Sequence, residues 1–147
     1  TEGYLNYQRD VALGVFSKSA DATPYWQERW NKTFSAIEGL RREAEENGAR
    51  LLVVVMPPEV QVNRRFFDTA VKQFGLDASD YDFTLPGRKI IGFCRGARLD
   101  CIDLYPVLLA AQKRAPQYAP DTGHWNAAGN RLAADAIGRY IRGTIVP

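Results

Sequence analysis

Asp121-Thr122-Gly123-His124-Trp125-Asn126 puts a carboxylate and an imidazole three positions apart, and His124 is the only histidine among 147 residues. Imidazole, with an unperturbed pKa of about 6.5, takes and returns a proton near neutrality. A carboxylate on its second ring nitrogen fixes the tautomer and stabilises the imidazolium. Asp121 reaches that nitrogen if the four residues form a tight turn, which Gly123 favours because glycine tolerates positive φ. Asn126 is then placed to cap a following helix. The competing structural reading is that Asp121 and His124 only shape a surface turn, since Asp-x-x-His on spacing alone is a weak motif.

Other groups with chemical potential read more plainly. Cys94 and Cys101 are too few for a disulfide framework and form no Cys-x-x-Cys pair. Two buried thiols are the first reading, and a single bridge in an exporting context is the second. With one histidine, no metal site is expected, and no cofactor motif is found. Asp77, Asp80 and Asp82 fall short of a calcium loop and read as a solvated acidic turn. Trp26 and Trp30, one helical turn apart, read as core rather than as a sugar platform. Tyr118 and Trp125 flank the Asp-x-x-His turn, where they either line an acyl or sugar pocket or pack the loop against the last helix. The net charge is +2, and the basic pairs Arg41-Arg42, Arg64-Arg65 and Lys113-Arg114 each read as a solvated face. No nucleic-acid partner is indicated.

The elements that must position these groups follow from punctuation and period. Hydrophobic residues at 46% and charged residues at 24% are the balance of a globular chain with a core. No apolar run approaches the roughly 20 residues of a membrane-spanning helix. Residues 1–22 are poorly defined, with Val11–Phe16 apolar and Ser17–Thr23 a loop. Thr23-Pro24 opens a helix that runs to about Asn47 before Gly48, with Trp26, Trp30, Phe34, Ile37, Leu40 and Ala44 as its buried stripe. Leu51–Met56, ended by Pro57-Pro58, is a buried parallel strand. Functional loops of α/β folds emerge from the C-terminal ends of such strands. A helix within Val60–Phe74 ends at Gly75, and a second spans Pro86–Arg95. Arg98–Leu104 is a second strand, and Val107–Lys113 a helix. A loop over Arg114–Trp125 then leads into a last helix from Asn126.

This order is an α/β layered pattern with a parallel sheet. Two strands do not make a stable sheet, so either the N-terminal residues add one, or residues 1–147 are the C-terminal portion of a larger domain.

The stretch Asp121-Thr-Gly-His124-Trp-Asn-Ala-Ala-Gly129, followed by an Ala/Leu-rich helix, resembles the last sequence block of the SGNH (GDSL-type) hydrolase superfamily. Ile102–Pro106 is similar to that family's last sheet strand and its exit, and Leu51–Pro58 to the strand before it. The tryptophan after the histidine resembles the branch that includes O-acetyltransferases of bacterial exopolysaccharides. The resemblance implies a three-layer α/β/α fold of flavodoxin-like SGNH architecture, incomplete at the N-terminus. It implies an esterase or O-acyltransferase in which His124 is the general base and Asp121 orients it. The substrate implied is a small ester or an acylated carbohydrate. The family's Gly-Asp-Ser block is absent. Ser17, Ser19, Ser35 and Ser79 lack its setting, and the oxyanion-hole blocks are not found. The serine is therefore expected upstream or on another polypeptide, with a non-catalytic α/β module binding a partner or carbohydrate as the alternative. A periplasmic or extracellular location is favoured over the cytoplasm. An incomplete sheet would leave a strand edge, open to a homodimer or to a complementing N-terminal part.

Overall fold

The computed structural model describes Gly3, Asn6, residues 13–120 and residues 122–145. The rest of the poorly defined N-terminal segment lies outside the described residues, and so does Asp121. The first described element is a 3-10 turn, Leu13–Phe16, followed by a one-turn helix α1, Lys18–Asp21. The Ser17–Thr23 loop expected from sequence is thus partly helical. The Ser17 hydroxyl accepts from the Ala20 amide and so caps α1.

Helix α2 spans Pro24–Glu46, capped by Thr23 as its sequence predicts and closed at Asn47-Gly48 with Gly48 at φ 66°. Its apolar stripe is less covered than the periodicity implies. Trp30 is buried, but Leu40 stays 55% exposed. Trp30 stacks on Phe34, which stacks on Phe93 of the helix below.

Strand β1, Leu52–Val55, pairs in parallel with β2, Asp100–Asp103, in the register Leu52↔Asp100 to Val55↔Asp103. These form a two-stranded sheet. Between the strands lie α3 (Glu59–Val62), α4 (Arg64–Phe74), a short 3-10 turn and α5 (Leu85–Ala97). After β2 come α6 (Tyr105–Gln112) and α7 (Ala127–Tyr140), which ends in a π turn over Ile141–Ile145. The helix expected within Val60–Phe74 is α4, closed at Gly75; Asn63, with an extended backbone (φ −97°, ψ 92°), separates it from α3, and its side chain caps α4.

Side chains alternate across a strand, and here the alternation sorts the helices into layers. Val54 and Ile102 pack on one face with α6 and α7 in a cluster centred on Leu104, Leu108, Tyr118 and Ala133. Cys101 and Asp103 meet α5 on the other face, through Cys94 and Gly87 respectively. The result is an α/β fold, largely helical, with a small parallel sheet between helical layers.

A second cluster joins Leu13 and Phe16 to Val60, Phe67 and Ala70. Phe67 packs edge-on against both Tyr81 and Phe83. The acidic turn is more than solvated. Asp80 accepts from the Ser17 and Ser19 hydroxyls and the Ser19 amide, which pins the N-terminal turn to it. Those hydrogen bonds, Ser17 first, hold the Asp80 carboxyl below its ordinary range. Asp82 accepts from Thr84 and pairs with Arg88 at 2.7 Å. No described helix is long and apolar enough to cross a membrane.

The two thiols read from sequence as separate are joined. Cys94 of α5 and Cys101 of β2 form a disulfide, with Cα atoms 6.2 Å apart. The second strand and the helix before it pack face to face, and a separation of seven positions suffices to turn the chain back. The spacing is compatible with that bridge, but it takes the packing to bring the two sulfurs together.

Candidate functional site

Residues 117–120 and 122–126 pair as the two arms of a narrow hairpin between α6 and α7. Tyr118 bridges Trp125 in antiparallel fashion, the Ala119 amide donates to the His124 carbonyl at 2.9 Å, and the Asn126 amide donates to the Gln117 carbonyl at 3.0 Å. The tip is closed by Thr122, whose hydroxyl donates to the Ala119 carbonyl and accepts from the His124 amide, both at 3.1 Å. Gly123 has φ 71°, the left-handed conformation expected of it. His124 therefore has a fixed backbone and an exposed side chain.

Asn126 does what its position predicts. Its Oδ1 accepts from the Ala128 and Gly129 amides and starts α7, while its Nδ2 donates to the Pro116 carbonyl at the base of the hairpin. Gly129 permits the close approach of helix and hairpin. A Cβ there would stand 2.3 Å from the Gln117 carbonyl oxygen and 3.1 Å from the Trp125 Cβ. The Trp-Asn-x-x-Gly pattern is thus a docking device for the hairpin on the first turn of α7.

Tyr118 fastens the hairpin to the sheet. Its side chain is buried, and its hydroxyl donates to the Pro57 carbonyl at 2.5 Å. Burial pushes its phenol up to about 12, only partly opposed by hydrogen bonding with Trp125. Tyr118 therefore stays protonated, as a donor must. Nothing in the local sequence connects residue 118 to residue 57. The contact exists because β1 ends beneath the hairpin.

His124 consequently lines an open cavity of about 650 Å3 with Met56, Pro57, Pro58, Gly123, Trp125 and Asn130. The wall opposite the hairpin is the C-terminal exit of β1, where α/β folds place their sites. Asn130 was not singled out by its sequence position. Its Nδ2 donates to the Trp125 and Asn126 carbonyls, so it buttresses the turn. The His124 ring makes no hydrogen bond to another described residue, and Asp121 lies outside them.

None of the serines lines this cavity. Ser17 and Ser19 are bound to Asp80, Ser79 to Asp77, and Ser35 is exposed on α2. Asp103, at the end of β2, was given no role by the sequence. Its Oδ1 accepts from the Tyr105 amide at 2.9 Å, and its Oδ2 occupies the space a side chain at Gly87 would need. The carboxylate sits against the first turn of α5, where the helix dipole favours it. Among the described residues no three His, Cys, Asp or Glu side chains converge as a metal site.

A small parallel sheet between helical layers, with a cavity at the C-terminal exit of β1, makes this a protein of the α/β class. The family model for the SGNH hydrolase-like domain of acetyltransferase AlgX matches residues 15–147, and the chain belongs to that family. No curated protein and no solved structure matches it. The match extends over nearly the whole described chain, from the 3-10 turn at Leu13–Phe16 through the hairpin and α7.

Proposed function

We propose that the chain supplies the base half of an acyl-transfer site, in which an ester gives its acyl group to water or to a sugar hydroxyl. The observation that carries this reading is the position of His124, exposed in the wall of the cavity at the C-terminal exit of β1. Membership in an acetyltransferase-type SGNH family supports the reaction class.

In this scheme a serine hydroxyl attacks the ester carbonyl while His124 takes its proton. The tetrahedral adduct collapses, the ester oxygen leaves with the proton returned by the imidazolium, and an acyl-serine forms. Water or a sugar hydroxyl then attacks that acyl group, again deprotonated by His124, and serine is released. Asp121 holds the imidazole in the required tautomer. The attacking serine and the oxyanion donors come from polypeptide other than the described residues, since no described serine reaches the cavity. The substrate is a small acetyl ester or an acylated carbohydrate. The Cys94–Cys101 bridge supports an oxidising compartment, periplasmic or extracellular.

The test uses the complete protein with a chromogenic acetyl ester. His124→Ala should lower turnover by about 10²–10⁴-fold while the circular dichroism spectrum is unchanged. Retained turnover sinks the assignment. Comparison with the His124→Ala spectrum assigns the imidazole 15N resonances of His124. Asp121→Asn should redistribute the two tautomers, and unaltered resonances would remove Asp121 from its role. A non-catalytic binding module is the second reading, favoured by the lack of a described hydroxyl in the cavity. It predicts that the complete protein turns over no ester at all.

A further inference from the structure

The cavity that holds His124 is chemically two-sided. On the hairpin side stand the imidazole and the Asn130 amide, whose Nδ2 is engaged by the Trp125 and Asn126 carbonyls while its Oδ1 accepts from no described residue. On the opposite side, at the exit of β1, stand Met56, Pro57 and Pro58. We propose that this second side is an acyl-chain subsite, and that the ester handled here carries a hydrocarbon acyl group longer than acetyl, butyryl to hexanoyl. The inference rests on the acyl-transfer reading of the same cavity.

The physical case is a wall stripped of hydrogen-bonding groups. Pro57 and Pro58 have no amide hydrogen, and their rings fix φ, so the wall is stiff. The Pro57 carbonyl already accepts from the Tyr118 hydroxyl, and the Pro58 carbonyl accepts from the Gln61 amide at 3.1 Å. Beside them Met56 is 62% exposed, the most exposed large apolar side chain among the described residues. Methionine is unbranched and polarisable, so it adapts its shape to an apolar ligand. Trp125 lines the cavity as well, and its hydrogen bond with Tyr118 leaves the indole no N–H for a ligand. No lysine, arginine, aspartate or glutamate contributes to the lining.

The two sides sort the parts of an ester. A sugar carries hydroxyls that lose by leaving water without partners, and only the hairpin side offers partners. The acyl chain is the one part of an acylated carbohydrate that gains by leaving water for an apolar wall. It therefore takes the β1 side, with the ester carbonyl toward His124. The open cavity of about 650 Å3 lies within the range of about 300–1,000 Å3 that holds drug-sized ligands, and an acetyl group leaves most of it empty. Each further CH2 removed from water is worth about fourfold in affinity.

The experiment compares acetyl, butyryl and hexanoyl esters of one chromogenic alcohol on the complete protein. Alongside it, binding of acetamide and of hexanamide, which are not turned over, is followed by the His124 imidazole resonances. From acetyl to hexanoyl, kcat/KM should rise at least about tenfold, less than full burial of the added CH2 groups would give because the wall is open. Hexanamide should bind at least about tenfold more tightly than acetamide. Met56→Ser should reduce both ratios to about threefold or less, whereas Leu40→Ser, an exposed apolar side chain on α2, should leave them within about twofold. Both substituted side chains are exposed, and unchanged thermal unfolding verifies that the variants fold. A flat or falling ester series, equal binding of the two amides, or equal loss in both variants overturns the proposal. Equal turnover of all three esters would leave acyl transfer standing and sink the subsite. Absence of any ester turnover, with hexanamide still preferred, would sink the acyl-transfer reading and leave the apolar subsite standing.

Discussion

At the scale of single residues, the Asp-x-x-His block owes its shape to neighbours whose jobs can be separated. Gly123 supplies the left-handed turn, Thr122 closes it, Asn126 caps the helix, and Gly129 lets the helix approach. The sequence made Gly123 and Asn126 legible, because positive φ and N-capping are local demands that few residue types meet. It did not reveal why Gly129 is glycine, since the Gln117 carbonyl that excludes a Cβ is twelve residues away. Gly129→Ala should therefore destabilise the protein by about 1–3 kcal/mol, although alanine is the better helix former by about 1 kcal/mol. Gly39, also within a helix but with nothing near its would-be Cβ, is the matched control, and Gly39→Ala should stabilise by up to about 1 kcal/mol. Urea unfolding of both variants checks the pair, and equal effects would mean that the hairpin does not press on α7.

At the scale of elements, boundaries are legible where their punctuation is chemically unambiguous. Thr23-Pro24, Gly48 and Gly75 bound their helices as expected, and the β-branched run before Pro57-Pro58 is β1. The partners of each element are not legible in this way. The helix within Val60–Phe74 is found as α4, but the separate turn α3 before it, set off at Asn63, has no signal in the local sequence. The turn Leu13–Phe16, unreadable alone, is buried because Phe67 and Phe83 receive it. Sequence alone ranks two separate thiols ahead of a Cys94–Cys101 bridge, because nothing local says that α5 lies on the face of β2. The bridge closes a short loop, and the loop-entropy relation gives it about 2 kcal/mol. Reductant should lower the urea midpoint accordingly, and Cys94→Ser/Cys101→Ser should show the lower midpoint without further response. A midpoint indifferent to reductant would mean the bridge does not form in solution.

At the scale of the whole molecule, the sheet is the feature that sets expectations. β1 and β2 pair only with each other among the described residues, and all eight of their residues are half-buried rather than buried. A Val-rich strand with an unpaired edge is a template for further pairing. Sedimentation of the isolated chain should show association that grows with concentration. Strict monomeric behaviour across a hundredfold range would show that this edge takes no second copy. The layered α/β order was legible from the period of the apolar residues, and the three-layer arrangement was implied by the family resemblance of residues 121–129.

By itself the sequence determined the order of helices and strands, the α/β class, the tight turn at Gly123, the capping role of Asn126 and the singling out of His124. Each is written in near-neighbour chemistry: dihedral preference, capping, and hydrophobic period. Only the tertiary structure decided that His124 faces the exit of β1, that Tyr118 ties its hairpin to Pro57, and that two cysteines are one bridge. Those are contacts between residues far apart in the chain. They are fixed by which apolar faces bury against one another, and no local pattern encodes that choice.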